Sequence, residues 1–348
     1  MSQNGRNIRI SFLSSLGFQN IKEIVESQLR PNIIGMKKND NFYPRLFKYQ
    51  LTSHFFPPDV EHLKRISLSY GILLTHRKIL WKVFLGLWCP YRVTWEFLDQ
   101  QRNIKYSELK RTAILLMEDT NIDKSFESFS NQNLGHQISI FNDMYKIQHA
   151  KLKTNFFDSS EFCLGQKCFD MIFEVFYQIP FETAADRYDC LVNFLHIFRS
   201  SPNISSSEGV KTVIPQILKK SQVLIKKKDI ILFQHLKAIN SRCIEQAAKK
   251  WLSTFFVTCF SDIIFVWDRF IASSIIHFCS CLIYCIIVLE CRSTLLEITD
   301  YAAIESFLLT WKSPESSKKI LPKTLKLYNE VTNNILDFEE NRAVDKKR

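Results

Sequence analysis

Chemistry in this 348-residue chain has to come from a few polar side chains set among many aromatics. Asp143 and Lys146 stand three apart in Ile140-Phe141-Asn142-Asp143-Met144-Tyr145-Lys146, a spacing that puts a carboxylate and an ammonium on one helix face. Arg77 leads Trp81, Leu85 and Gly86 in the run RKILWKVFLGLWCP. His235-Leu236 lies sixteen residues ahead of Trp251, and Trp267-Asp268 follows that tryptophan by sixteen. Indole N–H, imidazole and carboxylate groups need partners when buried, so Asp268 is expected to cap or pair within a bundle. Nothing here sets a nucleophile beside a base, and no catalytic constellation follows from the residues themselves. The ten cysteines include no C-x-x-C pair, which removes zinc-ribbon spacing. Cys279, Cys281, Cys285 and Cys291 sit in an apolar run and read as buried free thiols of a reducing compartment. No metal and no cofactor are expected.

The elements that position these residues read as helices. Leu80, Val83, Phe84 and Leu87 recur at i, i+3, i+4, i+7, as do Phe169, Ile172, Phe173 and Phe176. Ile304, Phe307, Leu308 and Trp311 do the same behind Asp300, a predicted N-cap, and Tyr188, Leu191, Leu195 and Phe198 form another stripe. Eight glycines are too few for a hairpin-rich β fold or a glycine-cradled nucleotide site. Loops are expected at Lys38–Asn41, Phe56–Pro58, Glu127–Gly135 and Ser200–Gly209. Trp311–Lys319 reads as a linker to a final helix over Leu321–Phe338, with the last ten residues frayed. The organisation expected is an N-terminal segment at 1–60, a helical body at 61–312, and a linker, helix and charged tail at 313–348.

The net charge of +11 favours acidic partners without naming one. The lysines come in groups at Lys219-Lys220, Lys226-Lys227-Lys228, Lys249-Lys250, Lys318-Lys319 and Lys346-Lys347-Arg348, which read as solvated helix faces and a tail. They lack the interleaved aromatics and glycines of an RNA-binding sheet, so nucleic acid is not an expected partner. Phe270–Leu289 is twenty residues without a formal charge. That length suits either a membrane span or the central helix of a large domain.

Taken in order, these motifs resemble the TBC domain, the all-helical module of Rab GTPase-activating proteins. That family shows an early Arg…Trp…Leu-Gly helix, then His-Leu, a Trp followed by a Phe, and Trp-Asp. The matching residues are Arg77, Trp81, Leu85 and Gly86, then His235-Leu236, Trp251 with Phe255-Phe256, and Trp267-Asp268. Within the family, Gly17-Phe18, WKVFLG at Trp81–Gly86, MYKIQHAKL at Met144–Leu152 and the VWD segment are most similar to a member that serves as a subunit of the tuberous sclerosis complex. The resemblance implies an all-α, multi-helix bundle without substantial sheet, and it makes Phe270–Leu289 a buried core helix.

It also implies what catalysis would require. Active TBC domains supply an arginine from I-x-x-D-x-x-R and a glutamine from Y-x-Q-G to a bound GTPase. An arginine finger contributes roughly 1,000- to 100,000-fold in rate, and its planar fork is not reproduced by a lysine. Neither motif is present. The nearest segment, Ile140–Lys146, reads I-x-x-D-x-x-K, and Tyr177-Gln178 has the wrong spacing for the second finger. The expectation is a non-catalytic binding subunit whose partner is a hamartin-like coiled coil, in the complex with tuberin that restrains Rheb and TOR signalling. It would be cytoplasmic and found at lysosomal or vesicle surfaces, with at most peripheral membrane contact. Its partner-binding residues cannot be placed from sequence. The alternatives are an active Rab GTPase-activating protein, using Lys146 or another arginine, and a protein anchored through Phe270–Leu289.

Overall fold

The computed structural model describes residues 59–89, 91–118, 134–148, 166–198, 213–240, 242, 244–314 and 316–345. The Gly17-Phe18 start, the end of the MYKIQHAKL segment and the loops expected at Lys38–Asn41, Phe56–Pro58 and Ser200–Gly209 lie outside them. The elements are α1 Val60–Tyr70, α2 Leu74–Phe84, α3 Trp95–Glu118, α4 Leu134–Gln148, α5 Gln166–Tyr177, α6 Ala184–Leu195, α7 Ile214–Lys228, α8 Ile230–Ile239, α9 Glu245–Ser253, α10 Ile264–Ala272, α11 Ile275–Cys285, α12 Arg292–Glu297, α13 Tyr301–Thr310 and α14 Ile320–Asp345. The described residues contain no strand, so the fold is all-α as the glycine count and periodicity require.

Local chemistry accounts for several of the boundaries. Asp59, Thr183, Asp229 and Asp300 each accept a backbone N–H three residues on, at 2.8–3.1 Å, capping α1, α6, α8 and α13. Each satisfies one otherwise orphaned donor. α4 begins at Leu134, so the last two residues of the loop expected at Glu127–Gly135 are helical. α14 runs on to Asp345, past the Phe338 end and into the residues expected to fray.

α1 stops at Gly71, whose φ of 86° belongs to the left-handed region. A Cβ there would also stand 2.6 Å from the Arg269 guanidinium. Arg269 comes this close because its Nε donates to the Leu68 carbonyl in the last turn of α1.

The core is aromatic. Trp81 of α2 packs edge-on against Phe176 and Phe181, and the rings of Phe194, Trp267, Phe255, Phe198 and Phe270 continue the contact at centroid distances of 4.7–6.4 Å. The turn after α9 is strained, with Phe255 at φ 50° and Phe256 at φ 61°. Each such residue costs about 1–3 kcal/mol. Both rings are fully buried, which returns about 1.5–3 kcal/mol apiece. The turn also aims the Phe255 carbonyl at the Trp267 indole, which donates to it at 2.8 Å.

The charge-free run Phe270–Leu289 is not one helix. α10 ends at Ala272, Ser273-Ser274 breaks the chain, and α11 follows, passing into a π-helical turn at Ile286–Glu290. No helix of the described residues is long and apolar enough to cross a membrane. α11 is buried between α7 and α14. Ser280 Oγ donates to the Ile217 carbonyl of α7, and Tyr328 Oη of α14 accepts the Ser274 N–H that opens α11.

The linker expected at Trp311–Lys319 is tied to the body. Trp311 packs on Trp251 and Phe260. The Ser313 N–H donates to the Cys259 carbonyl and the Ser317 N–H to Asp262.

Two expectations follow. Gly71→Ala should destabilise the fold by about 1–3 kcal/mol through backbone strain and displacement of Arg269, read as a fall in the urea midpoint at unchanged slope. His277 accepts from Lys220 at its Nε2 (2.7 Å) and faces Ser274 Oγ with its Nδ1 (2.9 Å). Burial and the Lys220 charge lower its pKa below 6.5. The unfolded chain then binds more protons in that window, so the melting temperature should drop as pH falls through 6.5. His277→Gln should flatten that dependence.

Candidate functional site

The motif residues meet around Asp268. Arg77 on α2 donates to both of its oxygens, Nε to Oδ1 at 3.1 Å and one Nη to Oδ2 at 2.9 Å. One turn along α2, Trp81 Nε1 donates to the same Oδ1 at 2.9 Å. The carboxyl has no exposure to solvent. Burial pushes its pKa up, against the Arg77 fork and the Trp81 indole. Arg269, its neighbour on α10, reaches instead to α1. Three helices are thereby pinned at one point, and each polar tip in it has a partner.

A second polar knot joins α2 to α3 and α6, and sequence reasoning missed it. Lys82, the residue after Trp81, is 1% exposed and donates to Asp186 at 2.8 Å. Arg102 donates to the other Asp186 oxygen at 3.0 Å, to Asp99 and to the Leu87 carbonyl. Its Nε and the Lys105 ammonium approach Asp189. Burial raises the Asp189 pKa, opposed by those two cations. Trp88 stacks on Trp95 at 4.0 Å, donates to Asp99 at 2.7 Å and lies under the Lys82 ammonium. The signal for this knot is weak in sequence, because lysine inside an amphipathic helix normally reads as a solvated position.

The other motif residues stand apart. The Leu85 carbonyl accepts from Asn193 of α6, and Gly86 ends α2 at φ 76°. His235 Nε2 bonds the Ile298 carbonyl ahead of α13, and Leu236 beside it is buried. On α4, Lys146 Nζ donates to Asp143 at 2.9 Å within the same helix, both side chains partly exposed. No hydrogen bond or ion pair of the described residues joins these two to the knots.

Arg187 on α6 is different. Its guanidinium lies 4.4 Å over the Tyr177 ring and its Nε is buried without a hydrogen-bond partner. Burial lowers its pKa, against the pull of Tyr177 and Tyr106. The same burial pushes Tyr106 up to about 12. Gln178, next to Tyr177, is exposed. The cysteine cluster is chemically quiet: Cys279, Cys281, Cys285 and Cys291 are free and buried. Burial raises the Cys281 and Cys291 thiols to about 12, which leaves little thiolate to react.

The described helices have the fold of the TBC, or Ypt/Rab-GAP, domain. Among solved structures the chain is similar to the Ypt/Rab-GAP domain of Gyp1p, with a TM-score of 0.57 at 16% identity over 82% of this chain and 98% of that one. It is also similar to the Chlamydomonas flagellar RabGAP TBC domain, with a TM-score of 0.53 at 12% identity over 82% of this chain and 90% of that one. No protein-family model and no curated protein matches the sequence.

Removing half of a buried ion pair leaves the other charge stranded. Asp268→Asn is therefore expected to destabilise the fold by about 3–5 kcal/mol in chemical denaturation. Arg77→Met combined with Asp268→Leu should recover part of that loss. Lys82→Met should cost less, about 1.5–3 kcal/mol, because Asp186 keeps Arg102.

Proposed function

We propose that this chain is a non-catalytic member of the TBC class, a folded bundle kept for binding. Lys146 carries the reading. It occupies the place of the finger arginine in the I-x-x-D-x-x-R pattern, and it is tied to Asp143 of its own helix at 2.9 Å. A lysine is a compact point charge without the bidentate fork that grips phosphoryl oxygens. By its sequence resemblance the chain serves as the third subunit of a tuberous sclerosis-type complex. It would bind the coiled-coil end of a hamartin-like protein through an amphipathic helix laid in a groove, while tuberin supplies the GTPase-activating chemistry toward Rheb. The site of action in this reading is the cytoplasm and the lysosomal or vesicle surface.

A second reading, active Rab GTPase activation, is favoured by one observation. Arg187 is a guanidinium without a carboxylate among the described residues, stacked on Tyr177 beside the exposed Gln178.

Hydrolysis of GTP by a panel of Rab proteins separates the two readings. The non-catalytic reading expects no stimulation by the wild-type chain. Stimulation lost on Arg187→Ala or Lys146→Ala would establish the second reading in its place. Affinity capture from the native source is expected to bring down a long coiled-coil protein, and recovery of the chain as a lone monomer would defeat the subunit assignment.

A further inference from the structure

α7 and α8 meet at Asp229 and turn a basic surface outward. Residues 214–239 contain six lysines, no arginine and one acidic residue. That acid, Asp229, is already used: it caps α8 and pairs with Arg292 at 2.6 Å. Two of the lysines are engaged as well, Lys220 with His277 and Lys228 with Glu330. Lys219, Lys227 and Lys237 are exposed and pair with no carboxylate among the described residues, and Lys226 reaches only to the Phe233 ring at 6.0 Å.

Lysines in the last turn of a helix complement its dipole, which would account for Lys226–Lys228 as a structural feature. It does not account for what flanks them. Val223 is 56% exposed, Ile230 48% and Ile231 61%. Val223 precedes Lys226 and Lys227 by three and four residues on α7, so the three share a face. Ile230 and Ile231 open α8 directly after the Asp229 cap. Within the span Val223–Ile231, branched apolar side chains and long cationic ones are thus presented together to solvent.

We propose that this α7–α8 corner is a docking surface for an anionic lipid bilayer. The isoleucines and valine would enter the boundary between headgroups and acyl chains, while the lysines lie along the surface with their ammonium groups among the phosphates. That division of labour suits lysine, whose apolar stem covers hydrocarbon while its charged end stays wet. An acidic protein face would instead be gripped by the arginine fork, which pairs with carboxylates two bonds at a time, and this stretch has no arginine. The assignment is independent of the binding-subunit reading. A chain that captures no coiled coil can still bind vesicles, and the converse holds.

The test is co-sedimentation of the full chain with vesicles of phosphatidylcholine, either pure or with about one quarter phosphatidylserine, at low and high salt. The wild type is expected to sediment with the anionic vesicles and not with the neutral ones, and less at high salt. Lys226→Gln with Lys227→Gln should weaken binding on the order of 10- to 30-fold. Ile230→Ser with Ile231→Ser should weaken it further at high salt, where the apolar contribution is what remains. Circular dichroism checks that each variant is folded. Should the first lysine pair disturb the fold, Lys219→Gln with Lys237→Gln gives the same reading. The proposal is overturned if the wild type ignores anionic vesicles, or if it binds neutral ones equally well. It is also overturned if soluble polyglutamate competes fully while the isoleucine variant binds as the wild type does, which would assign the surface to an acidic protein.

Discussion

The fold hangs on one carboxylate with no access to water. Asp268 accepts the Arg77 fork and the Trp81 indole. Burying an ion costs several kcal/mol after relaxation, and only this full set of donors offsets it. The constraint spreads outward from there. Arg77 and Trp81 must lie one turn apart on α2, and Trp81 must face the aromatic core. Because Arg77 already satisfies Asp268, Arg269 is left to cap α1 at Gly71. The second knot, built on Lys82 and Asp186, uses the next residue of α2 to fix α3 and α6. One short helix is therefore tied to three others, α3, α6 and α10.

Burial on this scale also closes these motif residues off from solvent. A group that catalyses must reach substrate, and the Arg77 and Lys82 side chains are closed away from it. The polar groups left near the surface are modest: the Asp143–Lys146 pair on α4, and Arg187 against Tyr177 beside Gln178. The two knots are buried where their charges pair. The α7–α8 corner, with its exposed lysines and isoleucines, is the opposite kind of surface, and it lies on helices that make no part of either knot.

How far each feature could be read in advance depended on its range. Asp300 ahead of a 3.6-period stripe marks a cap by local chemistry, and α13 begins where that predicts. The twenty-residue run without charge was ambiguous, because its composition suits hydrocarbon and protein interior alike. The break at Ser273-Ser274 is stabilised by Tyr328, more than fifty residues away. The linker after Trp311 is held by Cys259 and Asp262 in the same non-local way, so nothing in its serine-rich composition could reveal it.

The amino-acid order by itself determined that the chain is helical and that neither finger pattern is spelled out in it, while the framework role of Arg77, Trp81, His235, Trp251, Trp267 and Asp268 came from the order they share with the TBC domain. These are properties of periodicity, residue type and spacing along one strand of chain. Tertiary structure decided which of those residues meet. It joined Arg77, Trp81 and Asp268 and left His235 and Trp251 elsewhere, each with its own partner. It also buried Lys82, whose charge argues for solvent until Asp186 and Trp88 are placed around it. A side chain's preference is local, but the partner that satisfies or overrides it arrives from anywhere in the fold.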